Sequence, residues 1–239
     1  MVVRVLDLET TGIEPGIDEI IEIASVDLLK GGGISAPMST YVRPSRGIPA
    51  SASAVHHIID ADVANAPIFA EAITPFQGAD VYIAHNSAFE RSFLEQYEIV
   101  MGPSFHRTGE DAPWICTFKC ALRAWPDLPA HSNQFLRYQL GLVAPFDYSR
   151  EQIVPHRATS DVIVTAAILI ELMKTQRWSQ LLEWSTLPAL FTRFSFGKHK
   201  GERFDAVDPS YLDWIINKSD LDEGVKFSAR HWLALKEAA

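Results

Sequence analysis

The chain has 239 residues, of which 47% are hydrophobic and 21% charged, a composition typical of a folded globular protein and unlike that of a disordered one. Its formal net charge of −9 argues against broad electrostatic attraction to nucleic acid, so any contact with nucleic acid must be local. No apolar run approaches the roughly 20 residues that cross a bilayer, and the N-terminus opens on a strand pattern rather than a signal peptide, so we expect a cytoplasmic protein.

The first predicted element is a strand within residues 2–12, a nearly unbroken apolar run that ends in two acids and a turn. Asp7 and Glu9 are two residues apart, so their side chains leave the same face of that strand. Adjacent carboxylates repel each other, and a divalent cation such as Mg²⁺ or Mn²⁺ would remove the conflict. The alternative is a strand that leaves the core through two solvated acids.

A turn and two more strands are predicted next. Thr10, Thr11 and Gly12 form the turn, whose free backbone N–H groups are expected to meet an oxygen-rich substrate. Residues 19–29 and 39–43 then predict the second and third strands. Three consecutive strands joined by short connections indicate an antiparallel meander that opens the sheet.

Loops and helices follow the meander. Residues 44–54 predict a loop, residues 66–76 a helix and residues 81–84 a short apolar strand. A polar break at residues 85–87 then caps a helix over residues 88–97. Residues 102–113 are predicted as a loop, residues 114–116 as a strand and residues 117–125 as a helix. A further helix is predicted to begin after its cap at Ser132 and to end at Gly141. Residues 159–174 are apolar on almost every side and predict a buried helix.

The residue pattern of the chain changes after residue 174, where the predicted buried helix ends. We therefore expect one domain over residues 1–176 and a small appendage over residues 177–239. Within the appendage, residues 194–204 combine alternating aromatic residues with two glycines and predict a hairpin with a basic tip. Asp208 suits the cap of the first of two helices that complete the appendage.

Acids stand at the margins of buried elements in three places. Asp7 and Glu9 lie toward a strand end, Glu90 lies early in a helix, and Asp161 lies in the first turn of an apolar helix. An acid at a helix N-terminus commonly does no more than stabilise the helix dipole. Taken one at a time, Glu90 and Asp161 therefore point to no function.

Taken together, three segments resemble the DnaQ-like 3′→5′ exonucleases of the DEDDh type. The matching segments are Asp7-Leu8-Glu9-Thr10-Thr11-Gly12, His85-Asn86-Ser87-Ala88-Phe89-Glu90 and His156-Arg157-Ala158-Thr159-Ser160-Asp161. The third has the histidine, four residues and aspartate of the last motif of that family. This resemblance spans roughly residues 2–174, and residues 114–117 and 196–201 extend it to the rest of the chain.

The resemblance implies an α/β fold, the ribonuclease-H-like exonuclease fold with a mixed five-stranded central sheet flanked by helices, here followed by a small C-terminal α+β appendage. It implies two Mg²⁺ or Mn²⁺ ions per active site, held by Asp7, Glu9, Glu90 and Asp161. One ion would activate water and the other would stabilise the leaving 3′ oxygen. His156 would take the proton from the attacking water, because an imidazole titrates near neutral pH.

The same resemblance implies contacts to the terminal nucleotide. The expected contact residues are Thr10, Thr11, Gly12, Ile13, Ile58, Asn86 and Phe89. Ordinary core packing is the alternative for Ile13, Ile58 and Phe89. Separately, Lys198, His199 and Lys200 belong to the densest basic cluster of the chain, which is either a DNA-contacting module or a solvated tip.

The expected function is metal-dependent 3′→5′ hydrolysis of single-stranded or duplex DNA ends to nucleoside 5′-monophosphates, in DNA repair or mismatch excision, and the family suggests a homodimer. Trimming of RNA 3′ ends, polymerase proofreading and a non-catalytic nucleic-acid-binding module are the alternatives. One residue departs from the family, which usually has aspartate where this chain has Glu90. The longer side chain moves the carboxylate by about one methylene, to which metal geometry is sensitive.

Overall fold

The computed structural model describes residues 1–101, 112–142 and 152–238. The predicted loop over residues 102–113 lies almost wholly outside these residues. Among the described helices, none is long and apolar enough to pass through a lipid bilayer.

A five-stranded sheet forms the centre of the fold, in the strand order β3-β2-β1-β4-β5. Its strands are β1 (Val3–Thr10), β2 (Ile20–Asp27), β3 (Met38–Tyr41), β4 (Val81–Ala84) and β5 (Trp114–Cys116). The first three pair antiparallel, whereas β4 pairs parallel to β1 and β5 parallel to β4. The prediction of a mixed five-stranded sheet that opens on a meander is confirmed, and β1 lies at its centre.

The described helices fall into two sets: those up to residue 186 cover both faces of this sheet, and the last two pack against each other in the C-terminal region. The helices are α1 (Ala50–His56), α2 (Asp60–Val63), α3 (Phe69–Ala72), α4 (Ser87–Met101), α5 (Thr117–Ala124), α6 (Asn133–Leu140), α7 (Ala158–Met173), α8 (Trp178–Thr186), α9 (Pro209–Lys218) and α10 (Glu223–Glu237). The caps predicted at Ser132, Gly141 and Asp208 are present. Ser132 accepts from the backbone of Phe135 at 3.4 Å, Asp208 accepts from the backbone of Ser210 at 2.8 Å, and Gly141 ends α6 with a φ of 64°.

Residues 44–76 differ from the prediction. Helices α1 and α2 were not expected, because the alternating alanines and serines of α1 carry no apolar periodicity. The single helix predicted over residues 66–76 is wrong, since the structure divides that stretch into α3 and a 3₁₀ turn (Thr74–Phe76). Pro75 explains the division, because proline has no N–H to donate and its ring collides with the carbonyl four residues earlier.

The sheet separates two hydrophobic clusters. Val3 and Val5 face the cluster formed with α5, α6, α7 and α8, whereas Leu6 and Leu8 face the cluster formed with α3 and α4. Asp7 continues the face of Val3 and Val5, because side chains alternate along a strand. Its carboxylate therefore lies on the side of the sheet that α7 covers.

The C-terminal region has a hydrophobic cluster of its own, built from α9, α10 and the segment before them. The hairpin predicted over residues 194–204 is present only as an isolated antiparallel bridge between Arg193 and Arg203, without regular strands. Helix α8, which the predicted division at residue 176 assigns to the appendage, packs through Leu181 in the main core. The division of the chain into domains stays a prediction.

Candidate active site

Three carboxylates meet toward the C-terminal end of β1. Asp7 and Glu9 come from β1, and Asp161 comes from the first turn of α7, which covers that face of the sheet. One carboxylate oxygen of each residue lies within 4.8 Å of the other two. The first and third sequence motifs therefore meet in space, and we call Asp7, Glu9 and Asp161 the carboxylate group.

The carboxylate group brings three acidic side chains together where each is at least partly buried. Burial raises the pKa of Asp7 well above its usual range, and the charges of Asp161 and Glu9 add to the effect. Burial, followed by the charge of Asp161, raises the pKa of Glu9 to about 8. Ionising all three carboxyl groups without a cation is unfavourable, because they are partly buried and repel one another. Three carboxylate oxygens at this spacing suit a hard divalent ion such as Mg²⁺ or Mn²⁺. The donor set fits a divalent metal.

Glu90 lies beside the carboxylate group, in the first turn of α4. Its side chain is 4% exposed, and its Oε2 has no hydrogen-bond partner within the described part of the chain. Burial raises the pKa of Glu90 to about 8, with a smaller contribution from the charge of Glu9. Burying a carboxylate oxygen without a hydrogen-bond partner costs free energy, and a nearby cation would offset that cost. Glu90 stays outside the 4.8 Å group, so it would form a second ligand position next to it.

Gln134 and Arg137, which were not predicted from the sequence, hold Asp161 in place together with the backbone of His156. Gln134 Nε2 donates to Asp161 Oδ1 at 2.7 Å, and the backbone N–H of His156 donates to Asp161 Oδ2 at 3.0 Å. Arg137 Nη1 donates to Gln134 Oε1 at 3.1 Å, which fixes the amide with its donor toward the carboxylate. In the sequence, the feature that could have indicated this role is that Gln134 and Arg137 lie three residues apart, on one face of α6.

His156 stands at the rim of the carboxylate group with its side chain exposed. Its φ of 57° lies in the left-handed region, where strain in a residue other than glycine commonly marks a functional site. Burial raises the pKa of Asp161, and the hydrogen bond from Gln134 and the charge of His156 partly offset this effect. The imidazole therefore lies near enough to Asp161 for its charge to act on that carboxyl group.

An ion pair beside the carboxylate group fastens α7 to β2. Glu22 is 2% exposed and accepts from the Arg157 guanidinium through both oxygens, at 2.9 and 3.1 Å. The backbone N–H of Ala158 donates to Glu22 at 3.1 Å, and Arg157 also donates to the Tyr41 hydroxyl at 2.7 Å. Arg157 follows His156 directly, so this Arg157–Glu22 clamp fixes the segment that carries the histidine. The sequence reasoning missed it, although an acid inside an apolar strand is its signal.

Comparison with known proteins connects this geometry to an activity. The exonuclease family model RNase_T matches residues 5–169. The chain belongs to this exonuclease family. It is 36% identical over 238 residues to Exodeoxyribonuclease 10 of Escherichia coli K12, a match that covers 96% of this chain and 98% of that protein. It is also 35% identical over 175 residues to a DNA polymerase III subunit epsilon-like protein of Rhodobacter capsulatus, covering 71% of this chain and 23% of that protein.

Solved structures agree with the family assignment. A structure of Exonuclease X in complex with 5′ overhanging duplex DNA matches with a TM-score of 0.60 and 34% identity, over 77% of this chain and 99% of that one. The nuclease domain of 3′hExo, a DEDDh family member bound to rAMP, shares the fold at 18% identity, with a TM-score of 0.57 over 72% of this chain and 92% of that one. The predicted resemblance to DnaQ-like exonucleases and the predicted ribonuclease-H-like exonuclease fold are confirmed.

The turn after β1 of this exonuclease differs from the prediction in one respect. The Thr11 N–H donates to a backbone carbonyl just before β2 at 2.9 Å, so the expectation that it is free for substrate is wrong. The Thr10 hydroxyl donates to the Gly12 carbonyl. A Cβ at Gly12 would lie 2.3 Å from Asp18 Oδ2, so glycine is required here. Ile13, the next residue, is 80% exposed and open to a ligand.

The other expected nucleotide contacts divide into two groups. Ile58 is fully buried with Ile21 and Val63, so the predicted contact with a base is wrong and the alternative of core packing holds. The reason is the unexpected pair of helices α1 and α2, which enclose Ile58 between them. Asn86 is exposed with a φ of 84°, and Phe89 is half-buried one turn of α4 further on. Both stay predicted contacts.

His85 has a structural role in the exonuclease. Its Nε2 lies 2.9 Å from the His131 carbonyl and its Nδ1 lies 3.0 Å from the Thr117 hydroxyl. Burial lowers its pKa to about 4, so the neutral ring donates to the carbonyl and accepts from the hydroxyl. Lys198, His199 and Lys200 lie on the turn of the C-terminal region, where both lysines are exposed.

Proposed function

We propose that the protein is a metal-dependent 3′→5′ exodeoxyribonuclease that removes nucleotides from DNA 3′ ends and releases nucleoside 5′-monophosphates. The observation that carries this proposal is the carboxylate group, whose three oxygens converge from β1 and α7 to within 4.8 Å of one another. DNA is favoured as the substrate by the similarity to Exodeoxyribonuclease 10 and to Exonuclease X in complex with duplex DNA.

The four carboxylates would bind two metal ions. Asp7, Glu9 and Asp161 would hold one divalent ion, and Glu90 would contribute to a second. When bound, the ions would lower the pKa of a water molecule and stabilise charge on the leaving oxygen. Gln134 and the backbone of His156 orient both oxygens of Asp161 before any ion arrives, which reduces the reorganisation needed at the moment of reaction.

His156 would act as the general base on the attacking water. Its backbone is fixed on one side by the hydrogen bond to Asp161 and on the other by the Arg157–Glu22 clamp. The imidazole itself is exposed, so a proton that it accepts can pass to solvent. A general base whose backbone is fixed and whose ring is exposed to solvent can lose the proton after each reaction and act again.

Recognition of the DNA end would be independent of sequence. Ile13, Asn86 and Phe89 carry no charge, and they present two apolar surfaces and one amide to the terminal nucleotide. Apolar and stacking contacts tolerate any base, because every base has a flat face. An enzyme that shortens an arbitrary strand needs this tolerance.

The alternatives receive less support. Structures that share the fold at 18% identity include an exonuclease that recognises a histone mRNA stem-loop, so the fold alone does not separate DNA from RNA. A non-catalytic module would have no use for the carboxylate group. A role in DNA repair or mismatch excision, a cytoplasmic location and a homodimer stay predictions.

The test uses purified protein with 3′-labelled and 5′-labelled DNA and RNA strands, in Mg²⁺ or in EDTA. We expect the 3′ label to appear at once as mononucleotide, the 5′-labelled strands to shorten step by step, and DNA to be degraded faster than RNA. EDTA should stop both processes. Absence of metal-dependent mononucleotide release from every substrate would overturn the proposal.

A further inference from the structure

An exposed aromatic surface lies on α9 in the C-terminal region. Trp214 is 44% exposed, whereas the other five tryptophans of the chain are all at least partly buried. Tyr211 stands three residues before it on the same helix face, and the two rings stack with centroids 5.7 Å apart and planes 18° apart. An indole that is held flat and left open to solvent is a ready contact surface for another planar group.

The basic turn of the C-terminal region rests on the same surface. Lys198 Nζ lies 4.9 Å from the centre of the Tyr211 ring, and the His199 ring packs against Tyr211 with centroids 4.5 Å apart. Lys198 and Lys200 are both exposed, and neither pairs with a carboxylate among the described residues. We call Trp214, Tyr211, Lys198 and Lys200 the C-terminal platform.

The nearby acids are engaged elsewhere. Asp205 pairs with Arg203 at 2.9 Å, Asp208 caps α9, and Glu202 Oε1 lies 3.2 Å from His199 Nδ1. The lysines of the platform therefore keep their charge available to a ligand. Planar rings beside available ammonium groups favour a ligand that has both flat faces and negative charge.

The charge of the whole chain narrows the choice of ligand. Residues 190–239 contain eight lysines and arginines and eight aspartates and glutamates, so the net charge of −9 belongs entirely to residues 1–189. The part of the chain that carries the carboxylate group thus repels phosphates over most of its surface. A DNA strand needs a local anchor elsewhere on the protein, and the C-terminal platform has the right chemistry for one.

We infer that the C-terminal platform binds the unpaired part of the DNA strand that the exonuclease shortens, with a base stacked on Trp214 and the neighbouring phosphates on Lys198 and Lys200. This inference rests on the proposed function. Single strands are held by aromatic rings and basic side chains in this combination, and the flat faces of bases are accessible only where the strand is not paired. Duplex DNA therefore gains little from the platform.

The platform has a fixed position relative to the rest of the enzyme. Arg203 pairs with Asp127 at 2.9 Å, and Arg123 donates to the Pro188 carbonyl at 2.6 Å, so two ionic side chains join the C-terminal region to the segment around α5. A strand held at a fixed place would raise the affinity for long substrates without changing the chemistry at the 3′ end. The expected effect of losing the platform is therefore on binding and KM, and not on kcat.

The test measures binding of full-length protein to labelled strands in EDTA, where cleavage stops. Stacking of one base is worth about 1–3 kcal/mol, so Trp214→Ala should weaken binding of a single strand of about 30 nucleotides roughly tenfold, with no change for a blunt duplex. Replacing Lys198 and Lys200 by glutamine should lower the salt dependence of binding by about one to two phosphate contacts. In Mg²⁺, the same variants should raise KM for the long strand and leave kcat unchanged.

Two control variants isolate the effect. Leu235→Ala removes an apolar side chain of similar exposure from the same region, and Lys30→Gln removes an exposed lysine far along the chain. If Trp214→Ala binds the long single strand as Leu235→Ala does, or loses affinity for duplex equally, the inference is overturned. Binding in EDTA does not depend on catalysis, so a protein that fails to degrade DNA would disprove the proposed function while the platform test still gives its own answer.

Discussion

The carboxylate group and the Arg157–Glu22 clamp are neighbours with opposite electrostatics. Glu9 and Glu22 stand opposite each other on β1 and β2, so their side chains share one face of the sheet. Glu22 accepts two hydrogen bonds from Arg157 and one from the Ala158 backbone. Glu9 lies beside Asp161 instead, and its pKa rises to about 8. The fold pairs Glu22 directly with the Arg157 guanidinium, whereas Glu9 lies among other carboxylates and the charge of Arg157 only partly offsets its raised pKa.

This difference predicts opposite responses to the removal of charge. A neutral residue in the carboxylate group should relieve repulsion in the metal-free protein while it removes activity. A neutral residue in the clamp should leave a partner charge unpaired and so destabilise the fold. Each of the following experiments tests one side of that contrast.

The largest effect is expected from Asp7→Asn, which keeps the shape of the side chain and removes its charge. Loss of about 4 kcal/mol of transition-state stabilisation would lower kcat about a thousandfold. In EDTA the melting temperature should rise, because burial and like charges disfavour the ionised Asp7. Activity close to that of the unchanged protein, measured with labelled DNA in Mg²⁺, would contradict the assignment of Asp7 as a metal ligand.

Glu90→Ala should abolish metal-dependent nuclease activity and leave the fold intact. Glu90 Oε2 has no partner among the described residues, so its removal takes away a ligand position and breaks no hydrogen bond of that oxygen. Glu95→Gln is the matched control, since Glu95 lies on the same helix but is exposed. Rates on labelled DNA together with melting temperatures separate the two outcomes, and full activity in Glu90→Ala would remove Glu90 from the site.

The clamp is tested by Glu22→Gln, Arg157→Met and the double variant. Arg157→Met should lower the free energy of unfolding by about 3 kcal/mol, because it leaves the buried Glu22 carboxylate unpaired. Glu22→Gln should lower it by less, because the Arg157 side chain is 32% exposed and stays partly hydrated. The double variant should lose less than the sum, which urea unfolding would reveal as a coupling energy. Additive losses would show that the two side chains do not act as a pair. We also expect these variants to lower kcat more than they change KM, since the clamp holds the segment that carries His156.

The sequence predicted the parts of this site that depend on local patterns. The alternation along β1 put Asp7 and Glu9 on one face, and the spacing from His156 to Asp161 identified the third motif. Gln134 and Glu22 were missed because their roles depend on contacts between elements far apart in the chain, which no local period reports. Ile58 was assigned wrongly for the same reason. Its burial is decided by α1 and α2, whose short, serine-rich pattern gives no helical signal.

The smallest effect concerns the stability of the metal-free protein between pH 6.5 and 8. Burial raises the pKa of Glu9 and of Glu90 from an ordinary 4.5 to about 8, so in this range the folded state holds protons that the unfolded state has released. Stability must then fall as the pH rises, by at most about 1.4 kcal/mol per pH unit for each group.

The lower limit of this pH range is set by His85, which acts with the opposite sign. Burial lowers its pKa from 6.5 to about 4, so between those values the unfolded state binds the extra proton and stability rises with pH. Above pH 6.5 that contribution is constant, and the slope belongs to the acids. Urea unfolding in EDTA should show the decline, and Asp7→Asn should make it shallower because Asp7, whose own pKa burial raises well above its usual range, contributes to the same decline. The Glu22→Gln variant should lower the whole curve, because it breaks the Arg157–Glu22 clamp. An equally steep decline in Asp7→Asn would contradict the raised pKa of Asp7 in the folded state.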